Sequence, residues 1–233
     1  MQSEGGEQSH QVETQNKPKP AHVSHVQPEP RWPTAVAVLV AGALYAALPE
    51  PLSVGPRWLL LAILTVLVIP AMISHRRGMK TLNNVLGFTI EIISTVFLFW
   101  SVVMLVRSLP SKEIQPVDLL KSAAVLWICN VVLFALWYWR LDAGGPYERH
   151  FRGHHCSGAF LFPPMTQDGR RAVDGPWSPR FIDYLFLAFN TSTALSPTDA
   201  PIISRWAKGL VMLQALTSLT IIVVLAARAI NML

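Results

Sequence analysis

Phe181-Ile-Asp-Tyr-Leu-Phe-Leu-Ala-Phe-Asn-Thr-Ser-Thr-Ala-Leu-Ser-Pro-Thr-Asp199, then Ala200-Pro201 and an apolar run from Ile202 to Leu233, is the stretch whose reading decides the fold. As a helix, residues 181–195 would cover ~22 Å, short of the ~30 Å hydrocarbon core of a bilayer. Ser196-Pro197-Thr198-Asp199 reads as a tight turn. Thr198 or Asp199 supplies an N-cap for the next helix, and Pro201 sits in its first turn. The run after it is long enough to span, with Arg205 and Lys208 as interfacial anchors. Three arrangements fit the short segment: a re-entrant half-helix, an amphipathic surface helix, or a short sixth span. The length shortfall favours the first two.

Outward from this stretch, the 233-residue chain is 52% apolar and 14% charged, with the apolar residues gathered in long runs. That is the composition of a membrane protein, whose partner is the lipid bilayer. The net charge of +5 does not indicate nucleic-acid binding, because the basic residues lie between apolar runs and form no continuous patch. Two cysteines, Cys129 and Cys156, make no disulfide framework.

Residues 1–33 are polar and proline-containing and read as a disordered tail. Four spans follow within residues 34–139: Pro33 to Pro49, Arg57 or Trp58 to Ile73, Asn83 to Val106, and Val117 to Trp139. The fourth ends in Trp137-Tyr138-Trp139-Arg140, an aromatic belt with a basic anchor. Residues 140–180 form a long basic loop, read as solvated. Residues 181–233 hold the short helix, the turn and the last span. The expected fold class is all-α: a polytopic transmembrane bundle of about five spans plus a short re-entrant or interfacial helix.

Basic residues set the orientation. With four spans before the long loop, Lys17, Lys19, Arg31, Arg76, Arg77, Lys80 and six loop arginines share one side, and Arg57, Arg107, Lys112 and Lys121 share the other. Twelve against four places the N-terminus and the loop in the cytoplasm.

Polar residues inside the spans are the candidate functional positions. Glu91 lies eight residues inside the Asn83 end of its span, and Asn130 nine inside the Trp139 end of the next. Both ends face the same side, so both side chains sit roughly 12–14 Å deep, where a direct or water-mediated bond is expected. They read either as an ion or proton relay or as a buried contact holding two helices together. Asp183 and Asn190 are two turns apart on one helix face. Gln214, Thr217 and Ser218 form a polar strip that lines a water path or bonds a neighbouring helix. His150, His154, His155 and Cys156 are metal-capable but lack the spacing of a zinc signature, so no metal or other cofactor is expected. No nucleophile–base constellation or phosphate loop is present, which argues against an enzyme.

Thr193-Ala-Leu-Ser-Pro-Thr-Asp199, with Pro201 and the following helix, resembles the pore segment of two-helix potassium channels, where a short helix carries Thr-Thr-Val-Gly-Tyr-Gly-Asp before the inner helix. Thr193 and Asp199 match in position. Ser196 and Thr198 replace the filter glycines, and Pro197 replaces the tyrosine. A potassium filter turns its carbonyls inward on glycine-permitted angles, so the resemblance implies a pore-like module without potassium selectivity. Thr193, Ser196, Thr198 and Asp199 would form its turn, and a path would require a homo-oligomer. Potassium filters face outward, whereas the charge count places this turn inward. Ala188 to Asp199 also resembles an Ala-Phe-x-x-(Ser/Ala)-Thr-Ala-x-Ser-Pro-Thr-Asp signature near the C-terminus of uncharacterised bacterial multi-spanning inner-membrane proteins. Ala227 to Leu233 matches their Ala-Arg-Ala-x-Asn-(Ile/Met)-Leu ending. The expected function is ion or small-solute passage; the alternative is a non-transporting scaffold or partner subunit.

Overall fold

Where water is excluded, a single segment satisfies its own backbone polar groups only as a helix. The apolar runs of this chain fold accordingly. The computed structural model describes residues 31–110, 114–152, 158–166, 177–193 and 200–230. Its helices are α1 (Trp32–Ala46), α2 (Leu59–Arg76), α3 (Lys80–Arg107), α4 (Pro116–Leu141), α5 (Gly145–Arg152), α6 (Phe181–Thr193) and α7 (Arg205–Ile230). The fold is an all-α helical bundle. Helices α2, α3, α4 and α7 are long and apolar enough to cross a membrane, and α1 is a shorter apolar helix.

Helix α4 is the centre. Leu119, Ala123, Leu126, Phe134, Ala135 and Tyr138 are all buried, while Val117, Lys121, Ala124 and Ile128 leave a narrow exposed strip along its first half. Helices α1, α3, α6 and α7 pack around it. Helix α2 lies outside, against α1 and α3. The outer helices expose Val66 and Ile69, Val85 and Val96, and Met212 and Leu216. Outward apolar surface on long apolar helices is what a lipid environment selects.

The two ends of the bundle differ. Arg31, His75, Arg76, Asn83 and Arg140 surround one cavity, so α1 begins, α2 ends, α3 begins and α4 ends together. This is the basic end. At the opposite end Arg228 Nη2 donates to the Leu109 carbonyl at 2.5 Å, bringing the end of α7 against the end of α3. There too the Ser101 hydroxyl lies 2.6 Å from the Leu52 carbonyl and 2.9 Å from the Tyr45 hydroxyl, holding the α1–α2 connection down.

Two boundaries move outward from those expected. Helix α2 runs past Ile73 to Arg76, and α3 begins at Lys80 rather than Asn83. Long basic side chains extend their charge away from a helix end, so charged residues continue the helix. The turn between shrinks to Arg77-Gly78-Met79, with Gly78 at φ 71°, the left-handed conformation that closes a helix C-terminus. The described part of the 140–180 stretch also departs from the solvated loop expected. Asp142, Arg149, Ala159, Phe160 and Phe162 are buried, and the stretch folds back over the basic end.

Candidate functional site

Helix α6 starts at the basic end. Phe181 packs edge-on against Trp139 at 6.4 Å between ring centroids, and the Tyr184 hydroxyl donates to Asp142 Oδ2 at 2.6 Å. The backbone N–H of Arg180 donates to Asp183 Oδ2 at 2.7 Å, the return half of a capping box. From there α6 runs inward until Phe189 meets Trp127 at 5.8 Å between centroids. Trp127 lies 14 residues before the end of α4, ~21 Å along the helix.

Residues 200–203 are back at the basic end. The N–H of Leu161 donates to the Pro201 carbonyl at 3.0 Å and that of Ile203 to the Ala159 carbonyl at 2.8 Å. The Ala159 N–H is itself held by Asp142 Oδ1 at 2.5 Å. The chain therefore enters and returns on one side, and α7 then crosses alone. Helix α6 packs along α4 and α7, and the described residues on both sides of it lie at the basic end.

Gln214 of α7 pins the half-helix in place. It is fully buried. Its Nε2 donates to the Ala188 carbonyl at 2.7 Å and to Ser192 Oγ at 2.8 Å, and its Oε1 accepts from the Tyr138 hydroxyl at 2.5 Å. One turn on, Ser218 Oγ donates to the Ser192 carbonyl at 2.7 Å and accepts from Trp127 Nε1 at 2.9 Å. Thr217 Oγ1 returns to the Leu213 carbonyl of its own helix. Of the two readings of this strip, water path or helix contact, the bonds match the second. Asn130 Nδ2 donates to the Gln214 carbonyl at 3.4 Å, while its buried Oδ1 has no partner among the described residues.

Asn130 therefore makes no direct bond to Glu91. Glu91 pairs instead with Arg140, whose Nε lies 2.5 Å from Glu91 Oε1. The direct bond is absent because depth was counted from the backbone. Helical side chains lean toward their own N-terminus. Glu91 on α3 leans toward the basic end, while the long Arg140 on the antiparallel α4 leans inward, and the two meet. Gly87 leaves room for this: a Cβ there would fall inside the Arg140 guanidinium. Phe88 and Trp139 flank the guanidinium at 5.6 and 5.8 Å from their ring centroids.

The second constellation missed from sequence joins Asp142, Arg149 and Tyr184. Arg149 is 6% exposed, and its Nη1 donates at 2.8 Å to the carbonyls of both Trp139 and Asp142. Its guanidinium carbon lies 5.3 Å from the Tyr184 ring centroid. The legible signal was Ala159-Phe160-Leu161-Phe162, a short continuous apolar run inside a stretch judged by its charge.

Asp183 and Asn190, expected on one face, both line a cavity of about 220 Å³ with Phe162 and Trp177. Thr193 closes α6, its hydroxyl bonded to the Asn190 carbonyl at 3.1 Å. Ser196, Thr198, Asp199, His154, His155 and Cys156 lie outside the described residues, and of His150 only the backbone, within α5, is described. Among the described residues no three His, Cys, Asp or Glu side chains converge as metal ligands. No family model, curated protein or solved structure matches the chain.

Proposed function

We propose that this is an integral protein of a bacterial cytoplasmic membrane, with the basic end and N-terminal tail cytoplasmic, whose α6–turn–α7 module serves ion or small-solute passage in a homo-oligomer. One observation carries the reading: α6 enters alongside a spanning helix, and the chain after it returns to the same end. Backbone that turns back at bilayer depth is stable only where protein or water covers it. The exposed faces of α6 and α7 supply a surface on which copies can assemble to provide that cover. The residues at the turn resemble a potassium filter stripped of its glycines, so the passage proposed is unselective. No catalytic role is assigned.

The second reading, a scaffold or partner subunit, is favoured by the inward-facing polar strip. Gln214 and Ser218 spend their hydrogen bonds inside one chain. Reconstitution separates the two. Under the passage reading, proteoliposomes pass a dye-reported monovalent cation faster than empty vesicles, and Asp199→Ala changes that rate at least about ten-fold, the weight of ~1.4 kcal/mol at the barrier. Flux equal to empty vesicles, from protein that is folded and oligomeric, removes the passage reading and leaves the scaffold.

A further inference from the structure

We infer that the cavity at the basic end binds one anionic phospholipid, with the headgroup phosphate on Arg140 and Arg76 and the first carbons of an acyl chain in the apolar interior. The cavity measures about 280 Å³ and lies between the ends of α1, α2, α3 and α4. Its lining contains Arg31, Arg76 and Arg140 and no carboxylate, while Val38, Val68 and Leu136 form apolar walls further in. A basic mouth above an apolar interior matches an amphiphile with a negative head. A free inorganic phosphate would satisfy the charge and leave the walls uncovered.

Arg140 is built for a phosphate. Glu91 holds its Nε, and neither terminal amino group has an acceptor among the described residues. Those groups sit over Gly87, itself part of the cavity wall. The Phe88 and Trp139 rings fix the plane of the guanidinium. A planar fork held in place and open on one side is the geometry that suits phosphate oxygens. Trp32, 64% exposed, stands at the rim, and tryptophan at a helix end marks headgroup level. Basic pockets between helix ends are where anionic headgroups bind.

The site rests on the membrane reading and not on passage. The test uses full-length protein in neutral detergent, followed by native mass spectrometry and thermal unfolding, with phosphatidylglycerol, phosphatidylcholine of the same chains, or inorganic phosphate added. Wild type is expected to retain one phosphatidylglycerol in preference to phosphatidylcholine. Arg76→Gln, at an exposed position that keeps the fold, weakens retention about five-fold, the weight of one arginine near an anionic headgroup. Ala71→Trp, which fills the cavity from its wall, abolishes retention. Equal retention of phosphatidylcholine overturns the proposal, as does unchanged retention by Arg76→Gln. Stabilisation by phosphate alone, equal to that by the lipid, also overturns it and leaves a small-anion site. Lipid preference without liposome flux keeps the site and removes passage; flux without lipid preference does the reverse.

Discussion

Glu91 and Arg140 are the closest opposite charges in the described bundle, and they are coupled to a residue with no side chain. Removing one member of a buried pair strands the other in an apolar medium. Arg140→Met is therefore expected to destabilise the detergent-solubilised protein by about 3–5 kcal/mol. Adding Glu91→Leu should recover most of that loss in chemical unfolding. A double variant no more stable than Arg140→Met would mean that the pair is not what holds the site. Gly87→Ala extends the argument. Its new methyl meets the end of the Arg140 side chain, so the crowding costs roughly 1–3 kcal/mol only while Arg140 is present. In the Arg140→Met background the same change should cost nothing, a non-additivity expected of residues in contact. Equal cost in both backgrounds would place the clash elsewhere. That Glu91 mattered was legible in the sequence, because a carboxylate within an apolar run is conspicuous. Its partner was not, because Arg140 looks like an interfacial anchor until the opposed lean of antiparallel helices is taken into account.

Helix α6 shows what length alone can reveal. Residues 181–195 were too short to span, and the observed 13-residue helix ends beside Trp127 rather than at the far side. What length could not reveal is the grip of Gln214, since a polar strip on α7 has the same pattern whether it faces water or a neighbour. Three of the Gln214 side-chain bonds run to α4 and α6. Gln214→Leu keeps the volume but leaves Tyr138 and Ser192 without these partners, a loss of about 1–3 kcal/mol in a buried setting. The loss should be local. Amide exchange in α6 is expected to quicken, while α3, which has no bond to this network, keeps its protection. Uniform quickening across all helices would mean that α6 has no separate stability. The same reasoning applies to the 140–180 stretch. Its arginines suggested solvent, yet its paired phenylalanines and Asp142 tie it under α6. Charge counting misleads where a buried aspartate and arginine satisfy each other's surroundings through backbone groups.

For the whole molecule, the arrangement of ends makes one strong statement. The basic end gathers the start of α1, the residues before α7 and the mouth of the cavity, while Arg228 closes α7 at the opposite end. An even number of crossings therefore separates the tail from residue 200, and one more separates residue 200 from Arg228. Up to residue 180, twelve basic residues on the tail side against four on the other are the ground on which the tail is proposed to face inward. Side-specific thiol labelling in whole cells tests both halves of the argument. In a background lacking Cys129 and Cys156, single cysteines replace Gln11, Thr198 or Leu233. The expected pattern is Gln11 and Thr198 reached only by a permeant reagent, and Leu233 reached by an impermeant one. The reverse pattern at all three positions would keep the fold and invert the membrane orientation, and with it the side on which a lipid could enter the Arg140 cavity. Thr198 and Leu233 exchanging sides while Gln11 stays inside would require α6 to cross. That contradicts the Leu161–Pro201 and Ile203–Ala159 bonds, and the pore-like reading would fall with the half-helix it depends on.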